Sequence, residues 1–300
     1  MTRRPSPAPE PGGSGPAAST PAGPEKGSTA GSAAGTVAVG VAYGLQGFGY
    51  AVVVTALPGF QARHSLDATI VAVILLGVCV AAAAGSVLAD AVAVRSNSRS
   101  AIRLGFVLQS IGLVGAALSP SLIPFVVSVA VYGVGLGTID ASSAMQGVLV
   151  ERRSRRPWLG RYFAVYTTGA IVGALGMSAA LATTLGGVTA LLIASGAQVV
   201  YLAAASSALD GSRAARPRRD RTAMSERRLP AGPIVALGLL ILAAFTVDAG
   251  VSTWSSIHLA SLGIAAATAP LGYAAYQAGV LVARLLADPL TRRIRRTLLA

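Results

Sequence analysis

Eight apolar stretches run through this chain, over 35–57, 68–94, 100–119, 121–149, 157–183, 186–208, 232–258 and 266–290, and its arginines fall almost wholly in alternate gaps between them. Each stretch supplies the roughly 20 residues that a helix rising about 1.5 Å per residue needs to cross a hydrocarbon core about 30 Å thick. Several are longer than that minimum, so tilt or overhang is expected. Arg3, Arg4 and Lys26 precede the first stretch, and Arg95, Arg99 and Arg103 follow the second. Arg152, Arg153, Arg155, Arg156 and Arg161 follow the fourth, seven arginines lie between Arg213 and Arg228, and four between Arg292 and Arg296. Only Arg63 falls in an opposite gap, and Arg284 sits inside the last stretch. By the positive-inside rule the N-terminus and the arginine-bearing gaps are cytoplasmic. The expectation is a multi-pass protein of the cell (inner) membrane, all-α, with about eight transmembrane helices.

A net charge of +13 would otherwise invite a nucleic-acid reading. The arginine clusters hold only one Trp and one Tyr between them, so the aromatic stacking of a nucleic-acid surface is missing. With 53% hydrophobic and 12% charged residues, the basic charge reads as topology. The lone Cys79 excludes an intrachain disulfide and a thiolate metal cluster, and reads as a small hydrophobe packed against a neighbour. His64 and His258 are the only histidines and lie at helix ends without an acid–base partner or metal-ligand spacing, so neither an enzyme, a metal site nor a cofactor is expected. Gly135-x-Gly137 continues into apolar helix rather than opening a strand–helix unit, and no P-loop is present.

Residues 1–33 are rich in Pro, Gly, Ser and Ala and read as a disordered cytoplasmic tail, too long and too late in its first apolar run for a signal peptide. Residues 34–208 hold six stretches, 209–231 form a basic cytoplasmic central loop facing anionic headgroups, and 232–300 hold two more. Across the loop a repeat is visible. Leu88-Ala89-Asp90 ends the second stretch and Leu286-Ala287-Asp288 ends the eighth, the two aspartates 198 residues apart, each followed by arginines. Parallel repeats of this kind build one class of secondary transporter.

On these residues the chain resembles the major facilitator superfamily, from Gly35 to Ala300. The family's loop motif, Gly-x-Leu-Ala-Asp-Arg-x-Gly-Arg-Arg, is matched at Leu88, Ala89 and Asp90, with Ser86 and Ala91 replacing its first Gly and first Arg. Its basic part is displaced to Arg95 and Arg99, with Asn97 expected in the left-handed turn that Gly usually takes. In the second copy Asp288, Arg292 and Arg293 keep the spacing, with Thr291 in the Gly position. Closer still, Gly135-Leu-Gly137-Thr-Ile-Asp140, Gln146-Gly147, Phe245-Thr-Val-Asp248 and Trp254-Ser255 resemble a bacterial branch of fucose-permease-like and efflux carriers. Ala144 and Phe163 depart from it, standing where that branch has Asn and His. The resemblance implies a facilitator-type bundle, here a first six-helix half plus two helices of the second, with about four further helices expected beyond Ala300.

What the resemblance implies in function is secondary transport of a small organic solute by alternating access. A truncated or degenerate copy that does not transport is the alternative left open. Asp140 and Asp248 lie at predicted membrane depth, where an ionisable group costs about 2.5–3.5 kcal/mol on insertion scales. Each must face a cavity, find a partner or hold a proton, which makes both candidates for a proton pathway; a structural hydrogen bond is the plainer reading. Tyr43, Gln46, Tyr50, Gln146, Trp254, Tyr273, Tyr276 and Gln277 pair apolar bodies with polar tips and are the candidate cavity groups. Tyr50 and Trp254 equally suit an interfacial belt. Asp90, Arg95, Arg99, Arg284, Asp288, Arg292 and Arg293 are the implied gating latch. Gly169-x-x-x-Gly173 reads as close helix packing. Expected partners are the lipid bilayer, a small molecule and protons.

Overall fold

The computed structural model describes residues 33–184, 186–212 and 231–299, with the side chains of residues 231, 233 and 287–299 outside that description. The tail expected over 1–33, apart from Ala33, and most of the loop expected over 209–231 lie outside the described residues. The elements are α1 (Ala33–Thr55), α2 (Leu57–His64), α3 (Ala68–Arg95), α4 (Ser98–Leu118), α5 (Leu122–Ser154), α6 (Leu159–Leu181), α7 (Gly186–Ala204), a 3-10 turn (Ser206–Ala208), α8 (Ala231–Ser261) and α9 (Ala269–Leu299). The described residues contain no strand. The protein is an all-α polytopic bundle.

Local signals account for the helix ends. Pro58 suits the first turn of α2, where its missing N–H is no loss, and that short helix fills the gap expected between the first two stretches. Asp67 caps α3 by accepting from the Ile70 amide at 2.7 Å. Asn97 does the same for α4, accepting from the Ser100 amide at 2.8 Å. Asn97 is therefore not the left-handed turn residue expected: its φ of −170° is extended, as an N-cap requires. Among the described residues other than glycine, the left-handed positions are Ser65 and Arg155, which close α2 and α5.

Seven helices are long and apolar enough to cross a membrane: α1 and α3 to α8. The eighth expected span forms as α9 and is long, but Tyr273, Tyr276, Gln277 and Arg284 fall along one side of it. That polar stripe dilutes its hydropathy and turns one face toward the bundle interior. The helical backbone also continues past 290 to Leu299, so Asp288, Arg292 and Arg293 sit on a helix rather than in a connecting loop.

The broadest helix pairings are α4 with α5, α1 with α6, and α3 with α5; α9 packs on α6, and α8 touches chiefly α9, α1 and α2. Two of these pairings run backbone against backbone. A Cβ at Gly85 would overlap the Val134 carbonyl, and one at Gly137 the Ala82 carbonyl, locking α3 onto α5. Thr138 Oγ1 adds a bond to the Gly85 carbonyl at 3.0 Å. On the other side Gly47 meets Tyr166, Gly169 meets Gly44 and Gly173 meets Phe48, locking α1 onto α6. Lipid supplies no hydrophobic drive between helices, so this contact area carries the association.

Burial follows the same logic inverted. Val73, Leu76, Val80 and Val87 of α3 and Leu237, Leu240, Leu242 and Phe245 of α8 are exposed, a surface that a water-soluble domain would cover. The buried apolar residues form two clusters. One, with Val52, Leu57, Phe60, Leu113, Phe125, Met177 and Leu191, lies at the arginine-poor end. The other, with Val39, Ile102, Phe106, Val150, Tyr162, Tyr201 and Leu209, lies at the arginine-rich end. Replacing Gly137 by Ala is expected to cost about 1–3 kcal/mol through forced separation of α3 and α5. Gly238 has open space around its Cα, so Gly238→Ala is expected to be neutral or slightly stabilising. Thermal unfolding of both purified variants in detergent checks the contrast.

Candidate functional site

Between the two apolar clusters the helices carry polar side chains at mid-depth. Asp140 of α5 opens into the interior and is exposed there, despite its position midway along the longest helix. Gln46 of α1 donates from Nε2 to Asp140 Oδ1 at 3.0 Å and to the Leu136 carbonyl at 3.4 Å. Its own Oε1 is buried and has no partner. On the other side of the interior, Tyr276 of α9 donates its hydroxyl to Asp248 Oδ1 of α8 at 3.0 Å. One turn away, Gln277 Nε2 donates to the Tyr273 hydroxyl at 2.8 Å. Tyr50 of α1 joins the two sides: it is close enough to interact electrostatically with Asp140 and with Asp248. Tyr132 and Tyr166 complete this aromatic girdle, each within electrostatic range of Asp140 and of Tyr50 and Tyr273.

The fold thus brings together Asp140, Gln46, Tyr50, Asp248, Tyr273, Tyr276 and Gln277 from four helices. Tyr43 lies nearer the arginine-rich end, stacked on Tyr162 at 5.3 Å and edge-on to Phe163 at 5.6 Å. Trp254 is 38% exposed on α8 and stays at the periphery. Gln146 does not join the group. It is fully buried, donating to Ser98 Oγ at 2.9 Å and the Asp210 carbonyl at 2.8 Å, and accepting from the Asp210 amide at 3.1 Å. Gln146 clamps the chain after α7 to the ends of α4 and α5.

That clamp exposes what sequence reasoning missed. Leu209 and Asp210, expected in a solvated loop, are buried against the bundle, and Asp210 forms an ion pair with Arg153. Arg99 Nη1 donates to the Ser207 carbonyl at 3.2 Å and Arg103 Nε to Ser206 Oγ at 3.0 Å. Glu151 Oε1 accepts from the amides of Trp158 and Leu159 at 2.8 and 2.9 Å, holding the start of α6. A second missed network joins α4 to α7: Ser110 Oγ donates to Gln198 Oε1 at 3.0 Å, and Gln198 Nε2 to Gln109 Oε1 at 2.8 Å. Two glutamines inside apolar runs were the signal for it.

Of the latch residues, Asp90 and Arg95 are exposed at the end of α3 and form no ion pair among the described residues. Arg284 reaches across to α6. It donates from Nη1 to the Phe163 carbonyl at 3.0 Å and lies over the Phe163 ring at 5.3 Å. The side chains of Asp288, Arg292 and Arg293 lie outside the described residues.

Two cavities open in the arginine-poor half. The larger, about 420 Å³, is bounded by Thr55, Arg63, Met177, Leu191 and Ala269 and holds none of the groups above. The smaller, about 230 Å³, starts beside them: Tyr50, Leu136 (one turn before Asp140) and Ala249 (next to Asp248) are on its wall. Cys79 is exposed and borders this cavity rather than packing as a core hydrophobe. At its rim His64 stacks on Phe125 at 4.7 Å. Partial burial and then the neighbouring Arg63 charge hold the imidazole below its ordinary pKa, so it is neutral at pH 7.

A profile of the Major Facilitator Superfamily matches residues 39–300, nearly all of the chain after the tail. The chain belongs to the major facilitator superfamily. It is also similar to an uncharacterized MFS-type transporter of Yersinia pestis, 24% identical over 253 residues. That match covers 84% of this chain and 65% of the Yersinia protein. In this superfamily member the deep carboxylates are accordingly multi-pass membrane features, set among helices that lipid surrounds. Gln146→Ala is expected to cost about 1–3 kcal/mol, because it strands the buried amide and carbonyl of Asp210. A fall in thermal stability of the detergent-purified variant, with solute binding retained, checks the structural role.

Proposed function

We propose that this facilitator is a secondary carrier that moves a small organic solute across the cell membrane by alternating access. In this reading the arginine-rich end is cytoplasmic and the cavities open outward. Residues 34–208 act as one six-helix half, and 232–300 contribute the first two helices of the other. The observation that carries it is the convergence on Tyr50 of two carboxylates from the two sides of the central loop, each bonded to a neutral partner. A carboxylate that no cation neutralises at membrane depth is poised to exchange a proton as its access alternates. The fucose-permease-like and efflux-carrier branch is the nearest reading of the motifs around Asp140 and Asp248, with Phe163 now the seat of Arg284 in place of that branch's His.

The test is uptake and efflux in proteoliposomes carrying the full chain under an imposed proton gradient. Asp140→Asn and Asp248→Asn are expected to abolish accumulation against a gradient while sparing solute–solute counterflow, which needs no net proton movement. Gradient-driven accumulation surviving in both variants would overturn the proton pathway. Asp90, exposed at the end of α3, serves the latch, so Asp90→Asn is expected to lower the maximal rate more than the apparent affinity. Initial rates over a concentration series measure the two separately.

A further inference from the structure

The smaller cavity gives the proposed carrier a solute chemistry. Its wall is Val53, Val54, Leu57, Leu66, Val71, Ile74 and their neighbours, with Gln61 and Thr253 among the few polar side chains and no acidic or basic residue. Aromatic rings close it at both ends, Phe60 and Phe125 on one side and Tyr50 and Tyr132 on the other. The carboxylates lie beyond its wall at the Tyr50 end: Leu136, one turn before Asp140, and Ala249, next to Asp248, line it, and Tyr50 is within electrostatic range of both acids. Among the described residues the cation nearest these acids is Arg284: it lies within electrostatic range of Tyr276, but its guanidinium is held on the Phe163 carbonyl and ring of α6. At the outer rim His64 is neutral at pH 7, and Arg63 is drawn to the Ala117 carbonyl at 2.8 Å.

A dry slot beside two acids ringed by tyrosines offers an apolar body a place to bury and a positive charge a place to sit. An anion would face two carboxylates with Arg284, already engaged on Phe163, as the nearest described counter-charge. A neutral sugar would strand its hydroxyls against valines and leucines. Resting on the carrier reading above, we propose that this site takes a lipophilic organic cation, its hydrocarbon or aromatic part in the Tyr50–Phe125 slot and its charged centre between Asp140 and Asp248.

The test separates binding from transport. Full-length protein in nanodiscs is titrated with radiolabelled tetraphenylphosphonium, with its shape-matched anion tetraphenylborate and the neutral sugar L-fucose as competitors. The same three compounds are tested for protection of Cys79, the chain's single cysteine and a wall residue of the slot, from maleimide. Saturable phosphonium binding that shields Cys79 is expected, with no effect of borate or sugar. Asp248→Asn and Asp140→Asn are expected to weaken binding by about tenfold each, as removing a nearby charge in a low-dielectric site should. Asp248→Glu is expected to restore it, which distinguishes charge from loss of fold. Val78→Phe, filling the slot with both acids intact, is expected to weaken binding as well. Equal protection by borate or by fucose, or phosphonium binding indifferent to both Asp→Asn changes, would overturn the proposal. Phosphonium binding as described, without movement in proteoliposomes, would uphold the site and sink the carrier reading. Gradient-driven movement of another solute, without phosphonium binding, would do the reverse.

Discussion

The constraint on which this structure depends is the absence of water around its helices. Inside hydrocarbon a polar group must find a partner within the protein or face a wetted cavity, since an orphan costs several kcal/mol there. Ser110 and Gln109 satisfy both ends of the Gln198 amide between α4 and α7, and Gln146 satisfies both backbone groups of Asp210. Against that background the incompletely satisfied groups stand out. Gln46 Oε1 is buried without a partner, and Asp140 opens inward with a single amide donor. Much of the polar inventory holds helices together.

The division of labour extends to the apolar residues. Two packed clusters, one toward each end, leave the middle of the bundle to the polar girdle. The backbone contacts at Gly85, Gly137 and Gly169 set the depth at which those side chains meet. Moving α5 along α3 by one turn, about 5.4 Å, would carry Asp140 past Gln46 altogether. Small residues far from any solute therefore govern the geometry of the acid.

Much of the fold was legible because membrane insertion writes itself in one dimension. Apolar length located most of the long helices to within a few residues, missing the polar C-terminal extensions of α5 and α9, and the depths of Asp140 and Asp248 followed from counting along those runs. The short α2 was not anticipated, because Leu57–His64 is too short and too mixed in polarity to register as an apolar run. What the sequence could not convey were rotations. Gln146 and Gln46 look alike in their runs, yet one turns toward Asp210 and the other toward Asp140. Arg284 lies one helical turn from Asp288 in the sequence, which gives no hint of the aromatic ring and carbonyl of Phe163 that hold it on α6. Asp210 was hidden by its position at the head of an arginine-dense segment, whose charge suggested solvent throughout.

The pairings of α1 with α6 and of α3 with α5 leave no slack, because main chain abuts main chain. The junction of α6 with α9 is different in kind, built where Arg284 rests on Phe163 through long, rotatable side chains. Any rearrangement that exposes the interior to the opposite side of the bilayer must accordingly slip at this softer seam, with the glycine-keyed pairs travelling as solid pieces.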